Sequence, residues 1–215
     1  MINDKNIIKV LIADDHTIVR DGIRQIIDSE PQLKTVAEAE NGNQVLELTD
    51  KIQIDVVVLD ITMPGRNGLE TLKELRKLHP KIAVLVLSMH PKDQYAIRVL
   101  KAGASGYITK ESASEVLVTA IKKVYRGEKY IGSIVSELLA NYIQHENPDS
   151  PHEILSDREL EVFCLIGNGK SVSQISAQLN LSVKTISTYR RRILEKTQFL
   201  NNAEITRYCI ERNLS

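Results

Sequence analysis

Cysteine is nearly missing from this chain. Cys164 and Cys209 are the two in 215 residues. They lie far apart, no CxxC occurs, and both have apolar neighbours. That argues against a disulfide framework or a zinc site and for small core residues. No apolar run approaches the ~18 residues of a membrane span, and the start MINDKNIIKV lacks the apolar core of a secretory signal. The expected location is cytoplasmic. Net charge is also missing: Lys+Arg and Asp+Glu both total 28, so overall charge names no partner. There is no internal repeat and no low-complexity tract.

What is present is charge in particular places. From Pro151 onward there are 9 Lys/Arg and 7 Asp/Glu, leaving 19 and 21 in the remainder. Five basic residues, Lys184, Arg190, Arg191, Arg192 and Lys196, fall within one short stretch with the single acid Glu195. A local basic patch of this kind points toward nucleic acid.

The first ~125 residues alternate β-branched runs with amphipathic segments. The spacing predicts strands at Ile7–Ala13, Lys34–Ala39, Val56–Leu59, Ala83–Leu87 and Gly106–Ile108. Helical stripes run through Val19, Ile23, Ile26 and Ile27, through Leu69, Leu72, Leu75 and Leu78, and through Leu117, Ala120, Ile121 and Val124. Such alternation implies βαβ units, here a flavodoxin-like, doubly wound, five-stranded parallel sheet in the order 2-1-3-4-5. An apolar helix pattern follows at about Ile131–Ile143, then the Pro/Asn/Asp/Ser-rich HENPDSPHE. Beyond it every periodic segment is helical. The expected organisation is an α/β domain over 1–127, a linker helix and linker over 128–153, and an all-α helix-turn-helix domain over 154–215.

Ligands of an open parallel sheet bind beyond the carboxyl ends of its strands. Asp14 and Asp15 end the first strand and Asp60 ends the third, its neighbour. Three carboxylates at one edge repel unless a cation sits among them, and oxygen ligands suit Mg²⁺. Ser88 closes the fourth strand, and Lys110 follows the fifth. A nucleophilic carboxylate, acidic metal ligands, a hydroxyl and an ammonium are the parts that phosphoryl transfer requires. Singly, Asp14 or Asp15 could cap the next helix and Lys110 could be a solvated loop residue. Together at four strand ends they argue for a site.

VLIADDH, VVLDITMPGRNGLE, VLVLSMH and AGASGYITK resemble the receiver domain of two-component response regulators, from about Ile7 to Arg126. The resemblance implies that Asp60 accepts a phosphoryl group from a sensor histidine kinase. It also implies that Asp15, Asp60 and the Thr62 carbonyl hold Mg²⁺, with Asp14 acting partly through water. Lys110 would contact the phosphoryl group, Ser88 would move toward it, and Tyr107 would change rotamer in step. Glu111 stands where many receivers have proline.

In the C-terminal part, Ser156 and Glu159 fit a capping box, and Gly167 and Gly169 stop that helix. Ile175 and Leu179 face inward on a short helix. Asn180-Leu181-Ser182 turns the chain, and Ser182 caps a basic helix. On that helix Val183, Ile186 and Ile193 form one stripe. Ser187, Thr188 and Arg191 suit base edges, and Lys184, Thr185, Tyr189 and Arg192 suit phosphates. LSDRELEV and ISAQLNLSVKTISTY resemble the DNA-binding domain of the LuxR/FixJ/NarL class, and KTISTYRRRILEK looks closest to its BvgA-like members. Arg190 departs from the aliphatic residue usual there.

The resulting expectation is a transcription regulator controlled by phosphorylation. It would bind double-stranded DNA at two half-sites as a homodimer formed on phosphorylation, with RNA polymerase as a candidate partner. Ile205, Tyr208, Cys209 and Arg212 of the last helix are candidate dimer contacts, and its apolar positions fit an internal core equally. It is not expected to be an enzyme. An aspartyl-phosphate phosphatase would need an acid/base residue beside Asp60, where Thr62 is a poor general acid. A ligand sensor with a degenerate receiver is opposed by the intact acidic cluster.

Overall fold

A computed structural model describes residues 7–88, 94–132, 135–136, 150–212 and 214; of residues 94 and 95 it describes the backbone alone. Two compact units divide between Glu137 and Leu138. Among the described residues no helix is long and apolar enough to cross a membrane.

The first unit contains β1 (Ile8–Ala13), α1 (Thr17–Asp28), β2 (Leu33–Ala39), α2 (Gly42–Lys51) and β3 (Val56–Asp60). It continues with α3 (Gly68–Leu78), β4 (Ala83–Ser88), α4 (Gln94–Lys101), β5 (Gly106–Thr109), α5 (Ala113–Tyr125) and β6 (Tyr130–Ile131). All strand pairings are parallel. The sheet order is β2-β1-β3-β4-β5-β6. The expected order of five is present, and β6 extends it by one strand. A two-residue strand has no periodicity to read, and Ile131 had been assigned to a helix. Gly106 and Tyr107 pair with Tyr130 and Ile131, so the sheet runs past residue 127, where the linker was expected to begin. Most of the expected helix over 131–143 lies outside the described residues.

β1, β3 and β4 read as continuous apolar runs because helices cover both faces. Along β1, Val10 and Ile12 point to the face covered by α1 and α5, where Ile23, Ile27, Leu117, Ala120, Ile121 and Val124 meet them. Leu11, Val57, Leu59, Leu69, Leu72 and Leu75 are fully buried outside that cluster, consistent with the opposite face and α3. Each such aliphatic side chain contributes roughly 1.5–3 kcal/mol of burial free energy. Leu78, expected on the α3 stripe, is 54% exposed because it is the last helical residue, beyond the sheet.

The second unit is helical: α6 (Asp157–Gly167), α7 (Val172–Gln178), α8 (Val183–Thr197) and α9 (Asn202–Glu211). Side-chain caps fix each start. Ser156 and Glu159 form the expected capping box, and Ser171 with Gln174 forms a second that the sequence reading missed. Ser182 accepts from the Thr185 amide, and Asn201 from that of Glu204. Leu160, Phe163, Ile175, Ile186 and Ile193 fill the core. Val183 does not join the α8 stripe. At the first helical position it is 51% exposed.

The candidate dimer contacts require correction. Ile205 and Cys209 are fully buried within the unit itself. A Cβ on Gly167 would stand 2.4 Å from Cys209 Sγ, so that glycine lets α9 approach α6 rather than merely ending a helix. Tyr208 packs 5.2 Å from Phe199 and 6.1 Å from Phe163, ring centroid to centroid. Its hydroxyl lies 2.7 Å from Nδ1 of buried His152. The packed unit therefore begins before residue 154. Arg212 is exposed, with its guanidinium over the Tyr208 ring. Ile205 and Cys209 of α9 are spent on their own domain, whereas Ile210 is 62% exposed.

Candidate functional site

The parallel register of β1 and β3 pairs Ala13 with Leu59, so the next residues, Asp14 and Asp60, emerge side by side. Both carboxylates are buried. Lys110, one residue beyond β5, donates from Nζ to Asp60 Oδ2 at 2.8 Å. The same Nζ lies 2.6 Å from Asp14 Oδ2. Among the described residues that oxygen receives no aligned hydrogen bond, so the contact is ionic. The Thr62 amide donates to Asp60 Oδ1 at 3.1 Å. Asp15 keeps its carboxylate 29% exposed, 2.9 Å from His16 Nδ1.

The loop after β3 turns tightly beside Asp60. Gly65 has φ 73°, a left-handed value that suits glycine. Asn67 caps α3 through the Glu70 amide, and the Gly68 amide returns to the Ile61 carbonyl at 2.9 Å. A Cβ on Gly68 would stand 2.1 Å from the Asp60 carbonyl oxygen, so no larger residue fits this return. On the other side, buried Arg20 donates to the Asp14 carbonyl at 2.7 Å and to Glu40 at 3.0 Å. It ties the end of β1 to the segment after β2. The sequence reading missed Arg20, His16 and Gly68. His16 stood in the quoted VLIADDH, and an N-G pair before an apolar stripe signals a helix start.

The electrostatics follow from burial. Desolvation pushes the Asp60 carboxyl up to about 6; Lys110 opposes that rise, Asp14 adds to it, and the Thr62 amide opposes it. Burial disfavours the Lys110 ammonium, but Asp60 and Asp14 outweigh burial and raise its pKa. Three carboxylates share one ammonium, and at Asp60 burial together with Asp14 outweighs Lys110. Donor atoms of Asp14, Asp15, His16 and Asp60 lie within 4.8 Å of one another. This oxygen-rich set is compatible with Mg²⁺.

Ser88 and Tyr107 are both buried. The Ser88 carbonyl accepts from the Lys110 amide at 2.8 Å, and Ser88 pairs in register with Thr109. Tyr107 is fully buried in β5. No peptide bond among the described residues is cis, the one before Glu111 included.

On α8, Lys184, Ser187, Arg191 and Arg192 are exposed and Thr185, Thr188 and Tyr189 partly so. Ser182, Lys184, Thr185, Thr188, Tyr189 and Arg192 line one shallow surface depression. The Thr188 hydroxyl donates to the Lys184 carbonyl at 2.9 Å, leaving its methyl as the outward group. Arg191 Nε lies 3.8 Å from Glu195. Two of the five basic residues turn inward instead. Arg190 donates to Asn202 at 2.6 Å, and Lys196 donates at 2.6 Å to buried Glu159. Burial opposes ionisation of Glu159, but Lys196 and the hydrogen bonds of Ser156 hold its carboxyl below the usual range.

Comparison with known proteins agrees with both halves. Residues 10–122 match the response regulator receiver domain, and residues 153–209 match the LuxR family of bacterial regulatory proteins. The response regulator UvrY of Escherichia coli K12 is 36% identical over 208 residues, 96% of this chain and 95% of that protein. GacA of Pseudomonas aeruginosa is 37% identical, covering 96% and 97%. A structure of Salmonella typhimurium RcsB covers 96% of this chain and 98% of its own, at 28% identity and TM-score 0.70. RcsB bound to DNA covers 94% and 98%, at 29% identity and TM-score 0.61.

Proposed function

Because the chain belongs to the two-component response regulators that join a receiver domain to a LuxR-family DNA-binding domain, we propose that Asp60 is the phosphoryl acceptor through which a sensor histidine kinase controls transcription. One observation carries this reading: Lys110 Nζ contacts Asp60 and Asp14 together, at 2.8 and 2.6 Å. A cation beside a carboxylate at a strand end supports phosphoryl transfer, since it can balance charge on the transferred oxygens.

The chemistry is a single transfer. An Asp60 carboxylate oxygen attacks phosphorus in line. A P–O bond to Asp60 forms as the P–N bond to the donor histidine breaks, and the electron pair leaves with the imidazole nitrogen. With a pKa of about 6, Asp60 is mostly ionised at neutral pH and so is competent as the nucleophile. Lys110 then balances charge on the transferred oxygens. Asp14, Asp15, Asp60 and the Thr62 carbonyl would hold Mg²⁺, which neutralises phosphoryl oxygens when bound. Ser88 and Tyr107 are the elements that read the new charge. No external substrate is turned over.

The output is binding of double-stranded DNA by α8, read by Ser187, Thr188 and Arg191 and anchored on phosphate by Lys184, Thr185, Tyr189 and Arg192. Dimerisation on two half-sites is part of the proposal, supported by a structure of two RcsB dimers bound to two parallel DNAs. With Ile205, Tyr208 and Cys209 committed to the core, the exposed Ala203, Arg207, Ile210 and Arg212 are what α9 offers a second copy. The proposed limits are a receiver near 1–127 that extends to β6, a linker ending before His152, and a DNA-binding domain through 215. A cytoplasmic location, contact with RNA polymerase and the BvgA-like character of α8 belong to the same reading. The test is incubation with acetyl phosphate and Mg²⁺ followed by intact mass. The wild type gains one phosphoryl group and Asp60→Asn gains none. A modified Asp60→Asn would refute the assignment.

A further inference from the structure

Histidine 16 stands among the acidic ligands, and the proposal above gives it no task. Its backbone amide donates to Asp14 Oδ1 at 2.8 Å, which holds the residue against the cluster. Its Nδ1 faces two carboxylates, 2.9 Å from Asp15 Oδ1 and 3.2 Å from Asp14 Oδ1. An octahedral ion with ligand distances of roughly 2.1 Å sets adjacent donors about 3 Å apart and opposite donors about 4.2 Å apart. Those two separations match adjacent corners. The whole set, Asp60 included, spans at most 4.8 Å, so closing around an ion takes a shift of several tenths of an ångström. The imidazole is 65% exposed on its side chain and free to make that shift.

We infer that His16 supplies a nitrogen donor to the divalent-cation pocket, so that the pocket prefers first-row transition ions such as Mn²⁺ to Mg²⁺. The inference rests on the metal pocket proposed above and deepens it. Mg²⁺ favours oxygen donors and gives up water reluctantly. Mn²⁺ accepts the same octahedral oxygens and also takes imidazole nitrogen. The neutral tautomer protonated on Nε2 offers the Nδ1 lone pair. The contrasting arrangement has Nδ1–H donating to Asp14 and Asp15. There His16 screens the carboxylates against any cation, and its removal changes both affinities alike.

The experiment uses the full chain, with free Mn²⁺ read by electron paramagnetic resonance and Mg²⁺ by competition. The wild type should bind Mn²⁺ at least about tenfold more tightly than Mg²⁺. His16→Ala should lose about tenfold for Mn²⁺ and less than about twofold for Mg²⁺. Pulsed spectra of the Mn²⁺ complex should show ¹⁴N coupling in the wild type that disappears in His16→Ala and in His16→Asn. Equal losses for both ions, or no ¹⁴N coupling in the wild type, overturns the inference even where Asp60 is still phosphorylated with Mg²⁺. A wild type that binds neither ion overturns both the inference and the proposed metal pocket.

Discussion

Asp60→Asn offers a physical test of the pocket that needs no kinase. Burial and the neighbouring Asp14 carboxylate raise the Asp60 pKa from 3.8 to about 6 in spite of Lys110. A raised acid pKa means that the folded state disfavours the ionised form. The cost is absent below the unfolded pKa, grows as pH rises from about 4 to 6, and is constant above that. At ~1.4 kcal/mol per pKa unit it amounts to about 3 kcal/mol at pH 7. Asparagine removes the charge and nearly preserves the shape, so the variant should be more stable than the wild type by about that amount at pH 7 to 8 in EDTA. The advantage should shrink to nothing near pH 3. Urea unfolding with peptide-resolved hydrogen exchange over 56–60 isolates the receiver from the second unit. Adding Mg²⁺ should stabilise the wild type and leave the variant nearly unmoved. A variant no more stable than wild type at pH 7, or an advantage that persists undiminished at pH 3, would refute the idea that a desolvated carboxylate charge is held in this pocket.

Gly68→Ala places a methyl 2.1 Å from the Asp60 carbonyl oxygen and should cost on the order of 2–4 kcal/mol while displacing Asp60; an unchanged melting temperature with full phosphorylation would contradict it. Lys196→Met leaves Glu159 buried without its ammonium and should destabilise the helical unit by roughly 1–3 kcal/mol. Because the folded pKa of Glu159 is lowered, that difference should be full at neutral pH and fade as pH falls below the unfolded carboxyl range, which circular dichroism melts at several pH values can check. Arg191→Ala should weaken cognate DNA more than random DNA by about 1–3 kcal/mol, and Lys184→Ala should weaken both alike; titrations in which Arg191→Ala lowers both equally would make Arg191 a phosphate contact.

The strands were legible because burial on both faces leaves an uninterrupted apolar run, and VVVLD is buried at every residue. Asp14, Asp60 and Lys110 could be placed because strand order alone puts the ends of β1, β3 and β5 on one edge. Local pattern carries less elsewhere. Arg20 looks like any polar residue on an amphipathic helix until its guanidinium is seen on the Asp14 carbonyl, a contact made through the fold. The β6 strand depends wholly on its neighbour β5. The apolar positions of α9 were a true ambiguity, since a helix that packs on its own domain and one that packs on a second copy share the same period. Burial of Ile205 and Cys209 decides between them.

Zero net charge and a DNA-binding helix are reconciled by where each cation goes. Arg20, Lys110, Arg190 and Lys196 are committed to internal partners. Each holds one element end against another. Of the exposed basic residues of α8, Lys196 is held by Glu159, which leaves Lys184, Arg191 and Arg192. At physiological ionic strength charges are screened over about 8 Å. Within the helical unit, Glu195 beside Arg191 is the local acid that matters. Counterion release counts only contacts actually made, at about 0.9 per phosphate. Two or three cations per copy give a shallow salt dependence for one copy and about twice that for a pair. On the proposed reading a single copy holds DNA weakly, and affinity rises chiefly by doubling the number of helices engaged, the step proposed to follow from a charge change at Asp60.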